Sequence, residues 1–208
     1  MTYEEYKAAL ETARAGGTVP LSKEDLRDFE RYGYMERKAA ALSKLVESYT
    51  AGDWETVCDI AECCYEVMPE AFAFYYDEMP EDYRRDFVVV CYSNHGDSLP
   101  SCRKALRALP KNGVNELPPE YAEQEEITVY RAGEETPDKA KYRLSWTTDI
   151  EVAKKFFETY ICSSSRAQYL YKAKIRPCDV IAYTDDREEK EVLQYRKVKD
   201  IEVIQAKS

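Results

Sequence analysis

The chain has one histidine, His95, among 208 residues, and that scarcity removes several chemistries at once. A histidine-rich metal centre needs partners that are missing, and no serine–carboxylate pattern surrounds His95 to make a hydrolytic triad. His95 lies in the polar stretch Ser93–Ser98 and is read as a solvent-exposed or helix-capping residue. The seven cysteines are Cys58, Cys63, Cys64, Cys91, Cys102, Cys162 and Cys178, an odd number without a CxxC pair. Such spacing supports neither a disulfide scaffold nor a zinc ribbon, so reduced, mostly buried thiols are expected. No metal is implied. The longest apolar run, Phe87–Tyr92, is far too short to span a bilayer. The opening Met1-Thr2-Tyr3-Glu4-Glu5 is acidic and lacks an apolar core, which predicts no signal peptide. Together with the thiols, this places the expected site of action in cytoplasm, the cell's own or a host's. Internal repeats and low-complexity tracts are also missing.

What is abundant is acid and tyrosine. The formal net charge is −10, distributed unevenly. Residues 1–126 hold 14 Lys and Arg against 26 Asp and Glu, a balance of −12, whereas residues 127–208 hold 16 against 14, a balance of +2. An acidic half repels nucleic-acid phosphate and anionic lipid, so neither is an expected partner. The near-neutral half permits an anionic ligand. Tyrosine, with 18 copies, joins an apolar ring to a polar tip and suits strand surfaces and clefts as well as an ordinary core.

Hydrophobic spacing predicts helices through the first half. Residues 2–15 carry Tyr3, Tyr6, Leu10 and Ala13 on one side before Gly16-Gly17. Ser22 caps a second helix, with Glu24 and Asp25 in its first turn and a possible break at Gly33. Asp53 caps a third, and Tyr83–Tyr92 and Leu99–Leu109 read as further helices. Residues 111–126, with Gly113, Pro118 and Pro119, read as a linker. The predicted organisation is a helical lobe over residues 1–115 and a β-rich core over residues 116–208. The lobe is either a recognition or regulatory layer, or a layer that simply completes the fold.

The second half alternates with β periodicity. Ile127–Arg131 reads as a strand ending beside Gly133, where the backbone can turn sharply. Arg131 at that end suits a phosphate, because its planar fork matches two oxygens, although a surface arginine there is equally ordinary. Tyr142–Thr147 is a second strand, and Ser145 and Thr147 are two apart and share a face. Asp149 caps a helix that turns Val152, Ala153, Phe156 and Phe157 inward. Strands Gln168–Ile175 and Val180–Tyr183 follow. Glu189 and Glu191 then have period-2 spacing at the start of a last strand. Two carboxylates on one face repel unless a cation lies between them or one is protonated. They are either a functional pair or a charged strand edge facing solvent.

The order of aromatic-Arg (Tyr130-Arg131), then Ser-x-Thr (Ser145-Trp146-Thr147), then Glu-x-Glu followed by apolar residues (Glu189-Lys190-Glu191-Val192-Leu193) resembles the Arg-Ser-Glu class of mono-ADP-ribosyltransferases. The resemblance covers about residues 125–205, with Trp146 and Thr148 departing from the family's Ser-Thr-Ser-like motif. It implies an α+β fold in which two small perpendicular sheets, mixed or antiparallel, form a cleft that binds NAD as co-substrate. Carried over, Arg131 would hold the NAD phosphates, flanked by Tyr130, Ala132 and Gly133. Ser145 would support the site, with Trp146 and Thr147 beside it and Phe156 or Phe157 lining the nicotinamide pocket. Glu191 would be the catalytic glutamate. Glu189 would favour arginine as acceptor, and Tyr183 or the loop 184–188 would recognise the protein substrate. The resemblance thus implies an NAD–protein (arginine) ADP-ribosyltransferase. The alternatives are an NAD glycohydrolase and a non-catalytic interaction module whose acidic lobe binds a basic protein. A secreted effector, a toxin and a phage-encoded modifier all remain open.

Overall fold

The computed structural model describes residues 1–64, 66–111, 113–159, 167–185 and 187–207. Cys162 and Asp186 therefore lie outside the described residues. The chain divides into two compact units, 1–94 and 95–208.

The first unit is helical: α1 (Tyr3–Arg14), α2 (Lys23–Ala51), α3 (Trp54–Cys63), α4 (Met68–Tyr75) and most of α5 (Glu81–His95). Thr2 and Glu5 close a reciprocal capping box on α1, and Ser22 accepts from the Asp25 amide at the start of α2. The expected break at Gly33 does not occur, and α2 runs on to Gly52, which ends it at φ 73°. A glycine inside a helix costs only about 1 kcal/mol, which the surrounding helical hydrogen bonds offset. Much of the tyrosine content is spent here rather than on strands. Tyr3 and Tyr6 both donate to the Glu36 carboxylate (2.7 and 3.0 Å), and the Tyr49 and Tyr75 rings stack at 4.3 Å.

The second unit begins with α6 (Pro100–Ala108), a 3₁₀ turn (Gly113–Asn115) and α7 (Pro119–Ala122). The strands are β1 (Ile127–Gly133), β2 (Ser145–Thr147), β3 (Tyr169–Ile175), β4 (Val180–Thr184), β5 (Glu191–Gln194) and β6 (Lys199–Ala206). Helices α8 (Pro137–Ala140) and α9 (Ile150–Thr159) flank β2 in the chain. The fold is α+β, with one antiparallel sheet in the order β4-β5-β2-β1-β3-β6.

Two separate sheets were expected, and the structure has one. It narrows at its middle, however. β1 pairs with β3 over seven residues, whereas β1 meets β2 at the single pair Tyr130↔Thr147. Two three-stranded halves are thus hinged at one register position.

The division between units falls at 94/95, upstream of the expected change after residue 115. The stretch expected to be a linker belongs to the core for a steric reason. Leu117 is buried with Val129, Trp146 and Val180, and Tyr121 and Ala122 pack on the same cluster. A Cβ on Gly113 would lie 2.4 Å from the Ile181 carbonyl, so only glycine lets this turn sit on β4. Glu116 then accepts the Tyr183 amide at 3.3 Å, which pairs one donor at the edge of the sheet. β2 is also shorter than expected, because Tyr142 and Arg143 close the turn after α8, with their amides bonded to Lys139 and Ala140.

None of the six described cysteines is in a disulfide: Cys91 and Cys102 are buried, Cys58 and Cys64 half-buried, and Cys63 and Cys178 exposed. Burial is therefore less general than the sequence suggested. Among the described residues, no helix is long and apolar enough to cross a membrane.

Candidate functional site

Sheet order decides which residues meet. β2 lies between β1 and β5, so the end of β1, the start of β2 and the start of β5 converge. Register pairs Ser145 with Leu193 and Thr147 with Glu191, and directly opposed side chains share a face. Ser145, Thr147 and Glu191 therefore stand on one face of the sheet.

Three residues far apart in the chain are linked by two hydrogen bonds. The Arg131 guanidinium (Nη1) donates to the Ser145 carbonyl at 2.7 Å. The Ser145 hydroxyl donates to Glu191 Oε1 at 2.5 Å. Hydrogen bonds to a charged acceptor are short and strong, and this one fixes the Glu191 carboxylate, whose side chain is only 8% exposed.

Glu189 joins the cluster by another route than strand alternation. It precedes β5 and sits between two non-glycine residues in left-handed backbone, Glu188 (φ 56°) and Lys190 (φ 45°). Such a conformation costs about 1–2 kcal/mol per residue. Several contacts hold it in place. The Glu189 carbonyl accepts from Thr147 Oγ1 at 2.7 Å, and the Thr147 hydroxyl in turn accepts the Asp149 amide at 3.0 Å. Lys190 pairs with Asp149 at 2.8 Å, and its amide donates to Asp185 Oδ1 at 3.0 Å.

Between the two glutamates lies a cation, Arg187. Its Nη2 is 2.9 Å from Glu189 Oε2 and 3.7 Å from Glu191 Oε2. Burial pushes the Glu189 carboxyl above the ordinary glutamate range; Arg187 opposes that shift and the charge of Glu191 adds to it. The repulsion expected of this pair is thus relieved by a guanidinium from the adjoining turn. The chain segment Arg187-Glu188-Glu189-Lys190-Glu191 carried this signal, since only a residue so close along the chain could reach both carboxylates without a second element.

The Arg131 end has its own framework. Tyr171, the register partner of Arg131, donates its hydroxyl to the Glu135 carbonyl, and burial pushes its phenol up to about 12. The Glu135 carboxylate pairs with Arg143. Gly133 does not turn the chain sharply. It continues β1 opposite Tyr169, and its missing side chain leaves room for Glu135 Oε2, which a Cβ would approach to 2.9 Å.

Several residues expected to touch a ligand are placed elsewhere. Trp146, between Ser145 and Thr147, points to the opposite face, is 2% exposed and donates Nε1 to the Arg143 carbonyl at 2.9 Å. Tyr183 pairs with Val192 and packs on that same core cluster. Phe157 is buried with Ala153 and Leu170, and Tyr130 and Ala132 pack on that group, so α9 covers this part of β1. Phe156 is half-buried. The adjacent Thr148 carries a buried hydroxyl without a hydrogen-bond partner among the described residues. His95 ends α5 and is half-buried.

The first unit holds a separate recess of about 180 Å³. Glu55, Asp59, Glu62 and Asp86 line it together with Met68, Phe87 and Val90. Cys58 lines it too, and burial, with Glu62 adding, pushes its thiol up to about 11.

Chemically, the Arg131–Ser145–Glu191 arrangement offers an anion-holding guanidinium at one end and a fixed carboxylate at the other. A buried, immobilised carboxylate stabilises a cation that develops beside it. Among the described residues, no group of three or more His, Cys, Asp and Glu side chains could hold a metal ion. No family model, curated protein or solved structure matches the chain.

Proposed function

We propose that the chain is an NAD-dependent mono-ADP-ribosyltransferase that modifies arginine side chains of a protein acceptor. The observation that carries this reading is the connected set Arg131–Ser145–Glu191, three residues drawn from three strands into one hydrogen-bonded line.

The chemistry suits these side chains. Arg131 offers a guanidinium for the pyrophosphate of NAD. As nicotinamide leaves, positive charge builds at the ribose C1′, and Glu191, held by Ser145, is the fixed counter-charge. Glu189 binds the acceptor guanidinium and takes up the proton it sheds as the new bond to C1′ forms. Its elevated affinity for a proton, caused by burial, fits that role. Arg187 supports the assignment of the acceptor class, because the same two carboxylates already hold a guanidinium.

The test is incubation with labelled NAD and a cell lysate, beside Glu191→Gln. Label on discrete protein bands, absent with the variant and released by conditions that cleave arginine-linked ADP-ribose, is the expected result. Nicotinamide release without labelled protein would instead make the chain an NAD glycohydrolase.

The acidic recess of the first unit favours a second reading, a non-catalytic module that binds a basic protein. That reading expects no thermal shift with NAD, whereas an NAD site is stabilised by mass action.

A further inference from the structure

We propose that Arg187 is itself an acceptor, so that the chain transfers ADP-ribose from NAD to its own Arg187 guanidinium. The inference rests on the transferase reading above and names a modification site within it.

Arg187 already occupies the position that a substrate arginine would take. Its Nη2 sits 2.9 Å from Glu189 Oε2 and 3.7 Å from Glu191 Oε2, against the carboxylate that would take its proton and the one that would face C1′. Its side chain is 45% exposed, against 25% and 8% for the Glu189 and Glu191 side chains, so of the three it is the most reachable from solvent.

The turn that presents it is held from both sides. The Glu188 amide donates to the Asp185 carbonyl at 2.9 Å, and Lys190 is anchored to Asp185 and Asp149. Left-handed backbone at Glu188, the residue between them, accompanies the approach of Arg187 to Glu189. Four other described arginines of the unit are engaged elsewhere: Arg131 with the Ser145 carbonyl, Arg143 with Glu135, and Arg176 and Arg196 with Asp179. Lys155 also lies within electrostatic reach of Glu189, but the close ion pair, at 2.9 Å, is with the Arg187 guanidinium. An acceptor tethered this close reacts as though at very high concentration, so the internal reaction precedes transfer to any dilute partner.

The step balances as follows. The bond between C1′ and the nicotinamide nitrogen breaks, and nicotinamide leaves neutral with the electron pair. Arg187 Nη2 forms the new bond to C1′ and loses one proton, which passes through Glu189 to water. The modified guanidinium retains its single positive charge.

The experiment incubates the full chain with NAD and agmatine, a small guanidine, and reads three products: nicotinamide, ADP-ribosyl-agmatine and the modified chain mapped by peptide mass spectrometry. The expected result is one ADP-ribose per chain, on the Arg187 peptide, formed at a rate per molecule that does not change when the protein is diluted ten-fold. Arg187→Lys should lose that label, and Glu191→Gln should lose all three products. ADP-ribosyl-agmatine or nicotinamide without label on Arg187 overturns the inference and leaves an NAD-consuming enzyme standing. Label that maps to other residues, or a rate that falls with dilution, also overturns it. If none of the three products forms, both the inference and the transferase reading fail.

Discussion

The Ser145 hydroxyl donates to the Glu191 carboxylate at 2.5 Å, across a strand pair whose members are 46 residues apart in the chain. The contact is diagonal, because the register sets Ser145 opposite Leu193 and Glu191 opposite Thr147. The serine thereby holds this carboxylate from the strand alongside, while Arg187 approaches from the turn before it. A carboxylate held from two directions keeps its orientation without help from solvent.

Removing the serine contact tests that role. A hydrogen bond to a charged group is worth about 1.5–3 kcal/mol, or about 10- to 100-fold in rate if it acts in the transition state. Ser145→Ala should lower the rate of nicotinamide release by that factor with little change in the KM for NAD. Steady-state kinetics checks the split; a change confined to KM would show that the bond only aids binding.

Glu189 should give stability a pH dependence. Burial raises its folded value, so folding favours the neutral carboxyl. The stability it contributes is complete below the ordinary glutamate value of about 4.3 and is lost as pH rises through the raised folded value. Glu189→Gln stays neutral throughout. It should be more stable than the parent near neutral pH and match it in acid, a comparison made by denaturant unfolding across pH. A difference that does not vary with pH would remove Glu189 as its source.

The turn on β4 leaves no room for a side chain at Gly113. An added Cβ would meet backbone atoms of Ile181 and Ala182 at 2.4–2.6 Å, and backbone cannot rotate away as a side chain can. Gly113→Ala should therefore destabilise the chain by about 1–3 kcal/mol, the usual range for overpacking. Chemical denaturation measures this directly.

Thr148 offers the opposite sign. Its hydroxyl is buried and lacks a partner among the described residues, and an unmade hydrogen bond costs about 1–3 kcal/mol. Thr148→Val keeps the shape and deletes the polar atom, so the unliganded chain should become more stable by about 1 kcal/mol. Unfolding with and without NAD checks a further point. If the hydroxyl serves the ligand, the gain shrinks or reverses when NAD is present.

Part of this arrangement is legible in the sequence, and the departures from it are specific. Alternation along Ser145-Trp146-Thr147 already implied that Trp146 faces away from the two hydroxyl residues, and it does. Grouping it with them as a ligand contact went against that alternation. Period-2 spacing brought Glu189 and Glu191 together for an incomplete reason, because Glu189 precedes the strand and is placed by two left-handed residues. Propensity gives no warning of such residues in glutamate and lysine. Residues 111–126 read as a linker because their prolines and glycine suit a loop equally well, and only the fit of Gly113 against Ile181 and of Leu117 in the core shows a built strap.

The sequence by itself determined what lies within reach of neighbouring residues: the caps at Thr2, Ser22 and Asp149, the helical stripes, the strand alternation, and the charged turn that carries Arg187 beside its two glutamates. Tertiary structure alone decided that β2 would lie between β1 and β5, and so that Arg131, Ser145 and Glu191 would touch. It also decided that two expected sheets would be one, joined at a single pair. Alternation states which way a side chain points from its own strand. Which strand lies alongside depends on the packing of distant segments around a shared core, and local spacing carries no record of that choice.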